Sequence, residues 1–371
     1  MKKILILLLL AVIGGGALYL TQESNYTDRG GVPDEISALQ SIDPALVSEI
    51  RISRGESRVT LTRDGDRWVL PESWNYPAQQ KKAEDFLSAF RAIRDPEHRG
   101  ENASKHSSFE VDAETGAQVE LSGNGAGLPA RVVIGKFDGA GRCFVRPAAG
   151  NAVYSVRSDL RAAANFGETL SAREWLDTEF FAPPLGVDLV KLVLLSDGTE
   201  VELVKDEPAP PDPNAEDQDA EPEDVWRVTR PESFVANPET VSALITRISR
   251  PQRAHDAADP TQRASYGLDA PERQVTLHYA DGSSITLRFG VEEQGEPDPN
   301  AGEDTPQVTQ TGRFYAQCDG DERVFTVQKW TRDGFFRSLD ELRPVPEAPP
   351  EGEAVGPELP GGADTTTQPG D

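Results

Sequence analysis

The stretches Gly141–Val156 (GRCFVRPAAGNAVYSV) and Gly312–Val327 (GRFYAQCDGDERVFTV) align without a gap at an offset of 171 residues. They share the Gly-Arg pair, the aromatic of Phe144 and Tyr315, and the closing Val-aromatic-x-Val. Self-similarity at a fixed spacing marks a duplicated structural unit, so this pair decides the architecture.

Working outward, other features recur in the same order. Val47–Leu70 (VSEIRISRGESRVTLTRDGDRWVL) alternates apolar and polar residues in three short runs, with turns at Arg54-Gly55 and Asp64-Gly65. Its counterpart VKLVLLSDGTEVELVKD turns at Asp197-Gly198 and resumes, across an acidic insertion, at VWRV, so that Trp226 stands where Trp68 stood. Period-two alternation bounded by Asp-Gly is a hairpin signal. A proline-led helix follows in each half. Phe86, Leu87, Phe90 and Ile93 form the apolar face of one, and Val241, Leu244, Ile245 and Ile248 that of the other, where Asn237 and Pro238 make an N-cap and first-turn pair. FEVDAETGAQVEL (Phe109–Leu121) then matches YGLDAPERQVTL (Tyr266–Leu277), and ARVVIG matches SITLRFG.

Each repeat therefore reads β-β-β-α-β-β-β-β. The fold class is α+β: two homologous units, each an antiparallel sheet with one main helix, over 39–182 and 185–344, joined at Pro183-Pro184. One helix leaves one sheet face open, and two copies can bury that face against each other. Acidic insertions at 205–224 and 291–310 interrupt the second unit, and 345–371 is an acidic Pro/Gly tail expected to be disordered.

The leader fixes the expected compartment. After Lys2 and Lys3, an apolar run from Ile4 to Leu20 would reach roughly 26 Å as a helix, about a bilayer core. Residues 1–22 are expected to be a transmembrane anchor in a bacterial inner membrane, with a cleaved signal as the alternative; 23–38 would form a short stalk. The two lysines place the bulk of the chain in the periplasm or outside the cell.

Net charge is −26, of which Lys205–Asp224, Val291–Asp304 and Val345–Asp371 together carry −20. The remaining body is only mildly acidic and has no basic stripe, which argues against nucleic acid as a partner and against adhesion to anionic lipid by charge.

The leader, the segments YPAQQKKAEDFLSAF and YGLDAPERQVTLHYADGSSITLRFG, and the closing SLDELRP together resemble the bacterial family called domain of unknown function 4340. The resemblance covers nearly all of the expected ordered chain in two copies. Phe109-Glu110-Val111-Asp112 of the first copy lacks both the Gly and the Pro of Tyr266-Gly267-Leu268-Asp269-x-Pro271. The resemblance implies an envelope protein, often encoded near transport or gliding-type membrane complexes, with no assigned activity and no catalytic residues to carry over.

Residue types that carry chemistry form no catalytic, cofactor or metal motif here. His98, His106, His255 and His278 show neither i,i+4 pairing nor a His-x-x-Glu-His arrangement. Cys143 and Cys318 fall one per repeat at non-equivalent positions, so a disulfide would need the two units to meet there. GNGAG (Gly123–Gly127) lies between two strands, the context of a hairpin loop and not of a phosphate cradle. Both insertions contain PDPNA; Asp212, Asn214, Glu216 and Asp217, and Asp298, Asn300 and Asp304, could offer oxygen ligands to calcium but lack the glycine and terminal glutamate of a calcium loop. Trp68 and Trp226 read as core, Asp112 and Asp269 as turn residues. The expected function is a membrane-anchored, extracytoplasmic binding or scaffolding protein with a protein partner and without catalytic activity. The alternatives are an envelope hydrolase or carbohydrate-active enzyme, and a small-molecule receptor seated between the repeats.

Overall fold

A computed structural model describes residues 32–139, 141–164, 170–207, 224–295 and 310–344. The first half holds α1 (Asp34–Gln40), β1 (Val47–Arg54), β2 (Ser57–Asp64), β3 (Arg67–Leu70), β4 (Tyr76–Pro77), α2 (Gln80–Arg91), β5 (Arg94–Gly100), β6 (Ala117–Gly123), β7 (Ala130–Gly139), β8 (Arg142–Pro147), β9 (Val153–Arg157) and α3 (Leu160–Ala163). The second holds β10 (Glu179–Phe181), β11 (Leu189–Ser196), β12 (Thr199–Lys205), β13 (Trp226–Arg230), β14 (Phe234–Val235), α4 (Pro238–Ile248), β15 (Gln252–Arg253), β16 (Asp256–Ala258), β17 (Arg273–Tyr279), β18 (Ser284–Gln294), β19 (Gln310–Cys318), β20 (Val324–Gln328), α5 (Lys329–Asp333) and α6 (Leu339–Leu342). The strands build two nine-stranded sheets, ordered β4-β3-β2-β1-β6-β7-β8-β9-β5 and β14-β13-β12-β11-β17-β18-β19-β20-β16. Element for element the order is the same, as a duplication requires.

Alternation explains the central rows. Ile50 pairs with Leu61 and Leu121, and Ile52 with Val59 and Val119. In the second sheet Leu192 pairs with Leu203 and Leu277, and Leu194 with Val201 and Val275. All twelve side chains are buried, each contributing roughly 1.5–3 kcal/mol on removal from water. Phe86, Leu87 and Phe90 of α2, and Val241, Leu244 and Ile248 of α4, close the same face. The Asn237 side chain caps α4 by accepting from the Glu239 and Thr240 amides. The first helix starts differently: Pro77 lies in β4, and Gln80 ties the helix to β3 by accepting from the Trp68 amide and donating to the Trp68 and Ala78 carbonyls.

One apolar core runs through both halves, from Ile36 to Leu342. The connecting segment stitches them together. Gln79 N–H donates to the Trp175 carbonyl and Asp177 N–H to that of Pro77, while β10 pairs with β15 and Ala254 N–H donates to the Thr178 carbonyl. Tyr76 adds a direct pin. Its buried hydroxyl donates to the Ala258 carbonyl at 3.0 Å and accepts from the Val324 amide at 2.7 Å, joining the β16–β20 ladder where those two residues are paired.

Two expected boundaries shift, and the strand count rises. The stalk of 23–38 ends earlier, because α1 buries Ile36 and Leu39 against the first unit. The second insertion begins after the expected 291, because β18 continues to Gln294 with Glu292 and Gln294 still paired to β19. Two further strands per unit, β4 with β5 and β14 with β16, form the sheet edges. The expected anchor at 1–22, the tail at 345–371 and both PDPNA segments lie outside the described residues; among those described, no helix is long and apolar enough to cross a membrane.

Tyr76→Phe should destabilise the chain by roughly 1–3 kcal/mol in chemical denaturation, because it strands a buried amide and a buried carbonyl. Burial pushes the Tyr76 hydroxyl up to about 12. The folded state then keeps a proton that the unfolded chain releases near pH 10, so stability falls as pH rises from about 10 towards about 12. The variant should lose that share of the alkaline slope.

Candidate functional site

Each sheet has a second face, and the residues that cover it repeat. The turns carrying Phe109-Glu110-Val111 and Tyr266-Gly267-Leu268 cross the strands at Gly135 and Gly290, where an added Cβ would lie 2.3 Å from the Phe109 carbonyl oxygen and 1.9 Å from that of Tyr266. The second turn is also bonded, Val291 N–H to the Tyr266 carbonyl at 2.9 Å. Its left-handed residue is Gly267 at φ +72°; the first copy holds Glu110 there at +54°. The backbone conformation is thus the same although the glycine is missing. Asp112, next in line, accepts from the Glu114 and Thr115 amides and the Thr115 hydroxyl, which holds its carboxyl below the usual range. That is a turn-forming role, as its sequence context suggests.

These turns lay Phe109 on Phe144 (4.7 Å between ring centroids) and Tyr266 on Tyr315 (3.7 Å, nearly parallel). Around them form two small clusters, Val111 with Val133, Phe144 and Val153, and Leu268 with Ala258 and Val324. The shared aromatic of the Gly-Arg units therefore packs on the shared aromatic of the turn.

Beyond the aromatics, the same face turns polar. Side chains two apart on a strand share a face, and the register sets Glu97, Ser155 and Phe144 in one row and Arg94, Arg157 and Arg142 in the next. In the second sheet Asp256, Thr326 and Tyr315 form the matching row, with Gln328 and Arg313 beyond. The x of Val-aromatic-x-Val is thus a hydroxyl residue in both copies.

The first copy is closed by its own carboxylates. Arg142 donates to the Ser155 hydroxyl and carbonyl and to the Asp95 carbonyl, and lies 3.1 Å from Glu97. Ser155, fully buried, donates to Asp138 at 2.5 Å, which also pairs with Arg99 at 2.8 Å. Arg157 faces Asp95 at 3.5 Å.

In the second copy His255 takes the centre. Arg313 pairs with Glu293, and its Nη1 sits 3.2 Å from His255 Nε2. Arg173, from the connecting segment, donates through Nε to the His255 carbonyl at 2.7 Å and places Nη2 3.1 Å from Nδ1. Gln328 Nε2 lies 3.2 Å from the same Nδ1. Burial, then Arg173 and Arg313, lower the imidazole's pKa against the opposing pull of Asp256 and Glu293, so the ring is held neutral. Thr326 Oγ1, in a residue only 2% exposed, has no hydrogen-bond partner among the described residues.

The remaining candidates stay apart. His98 pairs with Glu101, His106 meets the Asn151 carbonyl, and His278 sits on β17 opposite Ser284. Among the described residues no His, Cys, Asp and Glu cluster could hold a metal. Cys143 and Cys318 are unpaired thiols, each pushed up to about 11 by burial. Gly123–Gly127 connects β6 to β7, and Asp269 pairs with Arg263 at 3.3 Å. Two open grooves lie elsewhere, about 400 Å³ beside the start of α2 with Lys81, Lys82 and Asp85 in its lining, and about 530 Å³ between α4 and α6 with Glu239, Arg337 and Arg343 in its lining. Sequence reading missed Arg173, Arg313 and Gln328 as neighbours of His255. The shared Gly-Arg pair was the available signal.

A family model described as Domain of unknown function (DUF4340) matches residues 68–224 and 226–345. Each matched segment opens at the equivalent tryptophan, Trp68 or Trp226, at the third-strand position of its sheet, so the first segment carries β11 and β12 of the second sheet with it. No curated protein and no solved structure matches the chain.

Two outcomes follow for stability, both read by chemical denaturation. Gly290→Ala or Gly135→Ala should cost roughly 1–3 kcal/mol or more, because the clashing atom is backbone and cannot swing aside. Ser155→Ala should destabilise by roughly 1–3 kcal/mol, whereas Thr326→Val, which removes a hydroxyl already lacking a partner, should be neutral or stabilising.

Proposed function

This chain belongs to the DUF4340 family in two copies, and from that premise we propose that it is a membrane-anchored, extracytoplasmic binding or scaffolding protein serving an envelope or transport complex. The observation that carries this is the apolar leader behind Lys2 and Lys3, set before a duplicated sheet module. The leader tethers; the module presents surface. Strand addition is the less favourable mode of contact, since β4, β14 and β16 are only two or three residues long and the β5 edge carries Arg94, Asp95, Glu97 and Arg99. Side-chain contact suits the surface better, because Phe137 is 55% and Trp330 67% exposed.

A second reading, a small-molecule receptor with a site between the repeats, is favoured by one feature. Arg173 of the connecting segment meets His255 there, a residue that Arg313 and Gln328 of the second unit also contact.

The scaffold reading is tested in intact cells with a photo-crosslinking residue at Phe137 or Trp330. The chain should sediment with inner membranes, resist carbonate extraction, and form a discrete adduct with one membrane-complex protein. Recovery in the cytosol, or crosslinks to no other chain from both positions, would overturn it.

A further inference from the structure

The His255 cluster presents donors to donors. Arg173 Nη2 and Gln328 Nε2 both lie near His255 Nδ1, at 3.1 and 3.2 Å, and Arg313 Nη1 lies 3.2 Å from Nε2. A neutral imidazole has one N–H and one lone pair. With the proton on Nε2, that N–H points at the Arg313 guanidinium. With the proton on Nδ1, the lone pair accepts from Arg313, and three N–H groups from Arg173, Gln328 and His255 converge on one point without an acceptor. The first arrangement sets an N–H against a guanidinium that already pairs with Glu293; in the second, which Arg313 favours by donating to Nε2, a negatively charged acceptor is the missing partner at the Nδ1 edge.

The first copy shows what the missing group is. There Asp138 and Glu97 accept from Arg99 and Arg142, and Asp95 faces Arg157. In the second copy Glu293 is committed to Arg313, and Asp256 accepts from the Ala257 amide. Arg173 has no carboxylate partner among the described residues, although its guanidinium is held in place by the His255 carbonyl. It is also exposed, so the point of convergence opens to solvent. A guanidinium beside an imidazole and a carboxamide suits the oxygens of a planar or tetrahedral oxyanion.

We propose that the second copy binds an oxyanion, the carboxylate or phosphate group of a small ligand, at Arg173, the Nδ1 edge of His255, and Gln328. Arg313 on the opposite ring edge sets the tautomer by donating to Nε2, and the stacked Tyr266–Tyr315 pair lies in the adjoining row as an apolar wall. This site does not depend on where the chain is anchored.

The test is an NMR titration of the histidine ring signals of the full chain in detergent micelles, with His255 assigned from His255→Gln. Inorganic phosphate and acetate are added in separate arms at low ionic strength. The His255 signals should shift saturably with one or both, and the imidazole pKa should rise as the bound anion stabilises the imidazolium against Arg173 and Arg313. Response to phosphate alone identifies a phosphate site, and response to acetate alone a carboxylate site. Arg173→Ala should weaken the response at least roughly tenfold, Arg173→Lys should restore part of it, and Arg157→Ala in the first copy should leave it unchanged. The rotated Gln328 carboxamide, offering its oxygen to Nδ1, is the internal competitor. A His255 signal that neither anion moves, or a shift that persists undiminished in Arg173→Ala, overturns the proposal.

Discussion

A single close approach organises each half of this protein. The carbonyl oxygen of Tyr266 occupies the space where a side chain on Gly290 would begin, and Phe109 does the same at Gly135. Only glycine permits a loop to lie this tightly on a strand. Once the loop is seated, its aromatic stacks on the aromatic of the strand that follows the glycine's own, Tyr315 or Phe144. The aromatic pair then divides the second face of the sheet. One side becomes a small apolar cluster, and the other is left to the rows of Ser155 or Thr326 and their arginines.

Because the backbone constraint is shared, differences between the copies report on side chains alone. The left-handed residue of the turn is tolerated as Glu110 in one copy and relaxed as Gly267 in the other, a difference confined to local strain. At the polar rows the differences are chemical. Ser155 is satisfied by Arg142 and Asp138, whereas the Thr326 hydroxyl has no partner among the described residues and the equivalent arginine has turned to Glu293 and His255. A duplicated module whose two copies need only fold would have no reason to leave a buried hydroxyl unbonded in one of them. Divergence at one face, with register and core rows intact, is the pattern expected when one copy serves stability and the other recognition.

The legible part of the fold was its local part. Alternation in β1, β2, β11 and β12, the Asp197-Gly198 turn, and the helical apolar faces around Phe86 and Leu244 all follow from neighbouring residues, and the order of units followed from the Gly-Arg repeat. The edges were not legible. Arg94–Gly100 contains a proline, no alternation and few apolar residues, yet it pairs with β9, because the partner strand and not its own propensity supplies the reason to extend. Tyr76 reads as one aromatic ahead of a helix, and its bonds to Ala258 and Val324 span more than half the described chain. The polar rows were hidden for the same reason. Ser155, Asp138 and Glu97 become neighbours only through strand register, and Arg173 reaches His255 only through the packing of the connecting segment.

That connecting segment explains why the two halves cannot be considered separately. It bonds to the first half at Pro77 and Gln79 and to the second through β15, and Trp175 is buried against Phe86 in between. Arg173 lies two residues before Trp175 and is therefore positioned by the first unit's core although it serves the second unit's histidine. Tyr76 acts in parallel, fixing at Ala258 and Val324 the β16–β20 ladder that pairs Asp256 with Thr326 two residues further along. Any shift between the halves would move Arg173 relative to His255 and strain the Tyr76 bonds at the same time. The junction thus couples the geometry of the donor cluster to the packing of both copies, which gives a duplicated chain a site that a single copy could not assemble.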